Sequence, residues 1–314
     1  MRSRSLLPAA SIAALLLCGC SIKRMAVNKI GNALASGNSV FETDDDPDLV
    51  GEALPFGLKM MESLLAESPK HKGLLMAAAS GFTEYAYVYV EQPADRLLTE
   101  DLRQSNALRT RARRLYLRAH AYGLRGLEVA HKGFGAALEK DPQSALAVTR
   151  RRDVPLLYWT AASHGLAIAS SKDDPEMIAQ LPVVEAIIRR VLELDEGWNG
   201  GAAHEFFISI ENSRVGVKPS ETQERMKTHF DRALALSKGT RATLFVSYAE
   251  AASVATQNRA EFQSLLERAL AIDPGAHPEM RLATLVAQHR ARWLFSRADE
   301  LFLEAPATPP AEGQ

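Results

Sequence analysis

Cysteine is nearly absent from this chain of 314 residues: only Cys18 and Cys20 occur, both close to the N-terminus. No disulfide can staple the body of the protein, so a large apolar core must hold it together. Aromatic residues are sparse at 7%, yet apolar residues reach 46%, enough to build that core. An excess of one charge is also missing. Lys and Arg number 37 against 38 Asp and Glu, and the formal net charge of −1 gives no electrostatic reason to expect nucleic acid. After residue 20 no apolar run approaches the roughly 18 residues of a membrane span. No stretch alternates apolar and polar residues with period two, which argues against a sheet. A glycine-rich phosphate loop, a nucleophile elbow and a paired-carboxylate constellation are all missing. These gaps point away from an enzyme, and no cofactor or metal is expected.

What is present begins at the N-terminus. Arg2 and Arg4 precede an apolar run, Leu6 to Leu17, that is too short to span a membrane comfortably. The run ends in Leu17-Cys18-Gly19-Cys20, which resembles a bacterial lipobox. Cys20 fits as the acylated residue, carrying palmitate-type chains, because Gly19 precedes it and Leu17 lies three places back. Residues 1–19 then form a lipoprotein signal peptide, and the mature chain is anchored without spanning. Ser21 follows the cysteine, which under enteric sorting logic favours the outer membrane over the inner.

Nearly everything after Cys20 reads as helix. Met25, Val27, Ile30 and Leu34 recur at helical spacing, so residues 20–46 comprise the lipidated end, a short helix and an acidic connector over 40–46. Asp46-Pro47 opens a long helix that stops before Pro69. Further helices are expected over 72–91, 101–140 (with breaks near Gly123 and Gly126), 154–170, 175–194, 200–212, 219–236, 240–256, 259–272 and 278–304. The Pro-rich end, 305–314, is expected to be disordered.

Three helix ends are spelled nearly alike: LLAESP (Leu64 to Pro69), ALEKDP (Ala137 to Pro142) and ALAIDP (Ala269 to Pro274). Read back from Pro142, Ala137, Phe134 and Ala130 have the spacing of the second helix of a tetratricopeptide (TPR) repeat. Small alanines let helices approach, the Phe fills a groove, and Pro ends the turn. Weaker copies, VLELDEG and ALALSKG, end near Glu196 and Lys238. The ends are spaced more widely than the roughly 34 residues of an uninterrupted array. The fold class is therefore all-α, an irregular TPR-like helical solenoid of about eleven or twelve helices over residues 47–304. Solenoids of this kind present binding surfaces.

Several residues invite chemistry, and each has a plain structural alternative. His204-Glu205 begins like a zinc-protease helix, but Ile208 stands where the second histidine belongs, so no metal is assigned. The pair is either a polar end of a ligand cleft or a satisfied histidine beside a solvated carboxylate. Phe82, Tyr85 and Tyr89 form one helical stripe, and Trp159 lies among small residues in LLYWTAASHG. These aromatics either pack a core or line a cleft. Phe82, Tyr85, Trp159, His204 and Glu205 are the cleft candidates. Arg111, Arg114 and Arg118 share one side of a helix, as a solvated face or a partner contact. Asp44-Asp45-Asp46-Pro47-Asp48 lacks the glycine and distal glutamate of a calcium loop.

Four stretches in order resemble one family: Asp44 to Glu91, PLLYWTAASHG (155–165), GGAAHEFFISIE (200–211) and AQHRARWLFSRADELF (287–302). The chain is similar to the TatT lipoproteins, the T components associated with tripartite ATP-independent periplasmic (TRAP) transporters. The resemblance implies an all-helical, TPR-like lipoprotein of the bacterial cell envelope. It implies work beside a periplasmic solute-binding protein that delivers a small organic ligand, with apolar ligands among the candidates. It leaves room for a homo-oligomer, a trimer included, and supplies no reaction. A TPR lipoprotein scaffold for outer-membrane protein assembly or secretion is the competing reading.

Overall fold

A computed structural model describes residues 25–36, 38–171, 173–212, 214 and 216–303. Among these no strand occurs, and every regular element is a helix, so the chain is all-α. The expected signal peptide, Cys20 and the Pro-rich end lie outside the described residues. Contacts group the chain into two compact units, Met1–Phe41 with Asp48–Val191, and Glu42–Pro47 with Leu192–Gln314.

Unit 1 opens with α1 (residues 25–36) and α2 (Asn38–Glu42), so the expected acidic connector is partly helical. The start of α1 is fixed to the turn that follows α3 (Pro47–Glu67): Ser68 Oγ donates to Asn28 Oδ1 at 2.8 Å. Val50, Leu58, Met61 and Leu65 bury one stripe of α3. Pro55 lies inside this helix and has no N–H to offer the Gly51 carbonyl. Gly51 is where the Tyr89 ring packs; a Cβ there would come within 2.7 Å of Tyr89 Cδ1.

The centre of unit 1 is α4 (Lys72–Ala86), buried on nearly every side through Leu74, Leu75, Ala77, Ala78, Ala79 and Gly81. Fully burying each leucine is worth roughly 1.5–3 kcal/mol. The helix expected over 72–91 changes character at Tyr87: Tyr87–Glu91 is a π turn, closed by Gln92 N–H on the Tyr87 carbonyl. After α5 (Gln92–Arg96), the Asp101 carboxylate caps α6 (Leu102–Ala130) by accepting from Gln104 N–H at 2.9 Å. The breaks expected in α6 at Gly123 and Gly126 do not occur. Both glycines face α9 (Val154–Ala169) instead. A Cβ on Gly123 would lie 3.1 Å from Thr160 Cα, and one on Gly126 would lie 2.6 Å from Leu156 Cδ2. Here glycine serves the close approach of two helices at some cost in helix propensity.

The helix breaks instead after Ala130, and α7 (Phe134–Lys140) and α8 (Pro142–Ala147) follow. Phe134 is buried as the repeat pattern requires, but Ala137 is exposed, against the expectation that it spaces two helices. The residue that α7 buries beside Phe134 is Leu138, one turn on. Next come α10 (Pro175–Ile178) and α11 (Leu181–Asp195), which buries Val184, Ile187, Ile188 and Val191.

Unit 2 is built from helices that pack on their successors: α12 (Ala202–Glu211), α13 (Pro219–Ser237), α14 (Ala242–Tyr248), α15 (Arg259–Leu270), α16 (Arg281–Ser296) and α17 (Ala298–Leu301). A second π turn, Ala249–Ser253, extends α14, and Asn212 Nδ2 donates to the Ala251 carbonyl within it at 2.8 Å. The core stacks Phe230 on Tyr248 at 4.3 Å and sets Phe262 edge-on to Phe302 at 5.0 Å. In the ALAIDP copy Ala269 is fully buried. Segment 42–47 joins this unit, with Arg281 Nη1 donating to the Thr43 carbonyl at 3.2 Å.

Candidate functional site

Three successive left-handed residues, Asn199, Gly200 and Gly201, lead into α12. The last must be glycine, since a Cβ there would meet Ala233 Cα of α13 at 3.2 Å. This tight entry brings the first turn of α12 against α13 and sets His204 facing His229. Their Nδ1 atoms are 2.8 Å apart. His204 Nε2 lies 3.1 Å from Glu196 Oε1, so it donates to that carboxylate. Arg232 holds Glu196 from the other side, with Nε donating at 2.7 Å and Nη2 at 2.5 Å. Phe207 stacks on the His229 ring at 4.7 Å, 14° from parallel. Glu196, His204, His229 and Arg232, with Thr228, Asp231 and Ala235, line an open depression of about 550 Å³. The Arg232 hydrogen bonds hold the Glu196 carboxyl down to about 2, with His204 assisting. Burial pushes the His204 pKa below its ordinary value, against the pull of Glu196, so the ring is neutral near pH 7.

Glu205 turns the other way. Its Oε2 accepts from Arg241 Nε at 3.0 Å, Arg241 Nη2 at 2.8 Å and Thr243 Oγ1 at 3.2 Å. The same guanidinium reaches the Asn199 carbonyl at 3.0 Å. Glu205 therefore locks the left-handed entry in place through Arg241, while its neighbour His204 faces the depression. Sequence reasoning paired the two; the helix sends them to different polar networks.

The remaining cleft candidates belong to unit 1. Phe82 and Tyr85 are 3% and 9% exposed and sit in its core. Arginines cover them. Arg111 donates to the Tyr85 hydroxyl at 3.2 Å with its guanidinium 5.8 Å from the ring centroid, and Arg118 lies 5.4 Å from the centroid of Phe82. Arg125 repeats the arrangement over Tyr122 at 5.2 Å, which makes a ladder at seven-residue spacing along α6. Glu62 ties its middle rung, accepting from Tyr122 at 2.7 Å with Arg118 at 3.6 Å. Arg111, Arg114 and Arg118 are all exposed, as a solvated face and a contact face both require. Trp159 is half-buried on α9, with Tyr158 edge-on at 5.2 Å.

Unit 1 also holds a buried polar seam between α6 and α9. His120 Nδ1 donates to the Thr160 carbonyl at 2.9 Å, and the His164 ring lies 4.2 Å from that of His120. One step along, the Tyr116 hydroxyl donates to Glu91, which the π turn aims inward. Burial lowers the pKa of both histidines, bringing His164 to about 3 with His120 assisting. Burial, then Glu91, pushes the Tyr116 phenol well above its ordinary value.

A family model described as TRAP transporter T-component matches residues 43–302, nearly the whole helical body. The chain belongs to this family. It is also 30% identical over 317 residues to a Treponema pallidum (strain Nichols) protein described as uncharacterized, an alignment covering 94% of this chain and 97% of the relative. A T-component is an accessory of a transporter, which associates this protein with TRAP transport and with the cell envelope. Among the described residues of this T-component, no helix is long and apolar enough to cross a membrane.

Sequence reasoning missed Glu196, His229, Arg232 and Arg241. Glu196 reaches His204 through the tight turn that precedes α12, whereas His229 and Arg232 join them only because α13 folds back on α12, and nothing in the local spelling around His229 signals a partner 25 residues earlier. Arg241 carried one legible hint. Asn199-Gly200-Gly201 is a run suited to positive φ, and its carbonyls need a donor.

Proposed function

We propose that this T-component is a lipoprotein acylated at Cys20 whose TPR-like helical body binds a periplasmic solute-binding protein and assists uptake or transfer of a small organic ligand. The observation that carries the reading is the family match over residues 43–302. The N-terminal run ending at Gly19-Cys20 supports the anchor and favours the outer membrane. The exposed side bearing Arg111, Arg114 and Arg118 supplies a contact face for an acidic partner surface. The depression at His204 and the aromatic groups Phe82, Tyr85 and Trp159 are the candidate ligand contacts. Tethering concentrates the body near the membrane, so even a micromolar interaction becomes useful.

A pull-down from native envelope with the Cys20→Ala protein as bait tests this reading. The expected capture is a solute-binding protein, with recovery reduced when Arg111 and Arg118 are both replaced by Glu. Capture of an outer-membrane assembly machine with no solute-binding protein would overturn it in favour of an assembly scaffold.

A further inference from the structure

Between Asp101 and Glu128, α6 carries seven arginines and no acid. They divide by side. Arg109 reaches Asp95 at 2.7 Å and Arg113 reaches Asp174 at 3.8 Å, so one side is paired within the protein. On the other side Arg111, Arg114, Arg118 and Arg125 are exposed. Among the described residues only Arg118 of these four has a carboxylate at ion-pair distance, Glu62 at 3.6 Å. Three of the four guanidinium groups are nevertheless held in place, at 5.8, 5.4 and 5.2 Å from the ring centroids of Tyr85, Phe82 and Tyr122. Arg111 also donates to the Tyr85 hydroxyl, and Arg125 to the Pro69 carbonyl at 3.3 Å. Charges fixed in this way lose less side-chain freedom when a partner binds.

We propose that this side of α6 is a docking rail for an acidic α-helix of a partner protein, one whose carboxylates recur every two turns. The stacked arginines repeat every seven residues, about 10.5 Å along the axis, which is the spacing of such a helix laid alongside. Each guanidinium has its face on a ring, so its edge remains for a carboxylate. Glu62 shows the fit within the chain, where it sits beside Arg118 and accepts from Tyr122 at 2.7 Å. Ala121, exposed between Arg118 and Arg125, leaves room for a second backbone. A bilayer would need a large apolar side chain to insert, and the rail places an alanine there instead. The net charge of −1 gives nucleic acid no long-range attraction. The inference sharpens the contact face of the proposed function and rests on that reading for the partner's identity alone.

The test uses the Cys20→Ala protein and two synthetic helical peptides of equal composition, read by fluorescence anisotropy. One carries glutamates at seven-residue spacing along one face, and its isomer distributes them around the helix. The first should bind about tenfold more tightly, with an affinity that falls as salt rises. Arg111→Gln and Arg114→Gln should each weaken it at least about threefold, and so should the double Arg111→Lys, Arg118→Lys change, because lysine keeps the charge and loses the planar fork. Arg152→Gln, an exposed arginine elsewhere in unit 1, should leave it unchanged. Equal binding of the two peptides, no binding tighter than about 1 mM, or Arg114-dependent binding to phosphatidylglycerol vesicles without peptide binding would overturn the proposal. Should the other variants fail to fold, Arg114→Gln carries the test, since Arg114 is exposed. A pull-down without a solute-binding protein, with the peptide result intact, would sink the transport reading and leave the rail standing.

Discussion

Each unit of this protein contains a pair of facing histidines, and the two pairs behave differently. His120 and His164 lie 4.2 Å apart inside unit 1, where the Thr160 carbonyl accepts from His120 and no carboxylate is bonded to either ring. His204 and His229 meet at 5.1 Å at an open depression in unit 2, with Glu196 and Arg232 behind them. The first pair is close-packed between α6 and α9, where glycines bring the backbones together. The second stands where α12 packs on α13, its successor, beside the depression. One side-chain type thus acts as packing material in one unit and as a polar donor set in the other. What separates them is whether a carboxylate stands within hydrogen-bond reach and whether solvent can enter.

The largest effect expected from this contrast is a dependence of stability on pH that originates in unit 1. The folded-state pKa of His164, about 3, lies below the unfolded value near 6.5, so between those limits the unfolded chain binds more protons. The stabilisation is present above about pH 6.5 and is lost as pH falls toward 3. The loss should reach on the order of 3 kcal/mol by pH 4. His164→Phe should flatten that slope in denaturant titrations at pH 7 and pH 4; an unchanged slope would break the comparison.

A smaller effect tests why the first pair is so closely packed. Gly123→Ala drives a Cβ into Thr160, and the expected cost is about 1–3 kcal/mol despite the gain in helix propensity. A thermal midpoint equal to wild type would mean that α6 and α9 separate easily. The smallest effect distinguishes the two copies of the repeat turn. Ala269→Leu in unit 2 overpacks a full core and should cost about 1–3 kcal/mol. Ala137→Leu in unit 1 projects into solvent and should stay within about 0.5 kcal/mol. Equal effects would restore the reading in which both alanines space helices.

Much of the helical order was legible because the signals are local. Asp46-Pro47 starts α3 where helix-start chemistry says it should, and Pro69, Pro142 and Pro274 follow helix ends. Gly123 and Gly126 were misread because glycine weakens a helix and also admits a neighbour, and only the position of Thr160 decides between these. The π turns were invisible for a similar reason: GFTEYAYVYVE is compatible with a continuous helix, and the extra residue shows only in hydrogen bonding. At the candidate site, His204 was singled out and its partners were not. Glu205 drew attention by adjacency, yet successive helical residues diverge by about 100°, and that angle places it on Arg241.

Counted in chain length rather than in contacts, the π turn at Tyr87–Glu91 is one residue of slack in an otherwise taut rod. Rewinding the same five residues as ordinary α-helix would replace the wide turn with regular i to i−4 hydrogen bonds. It would also turn Glu91 by about 70° around the axis and withdraw its carboxylate from Tyr116. The phenol would then be stranded in the interior. The helix therefore keeps a local irregularity because straightening it would move the defect to a place that water cannot reach.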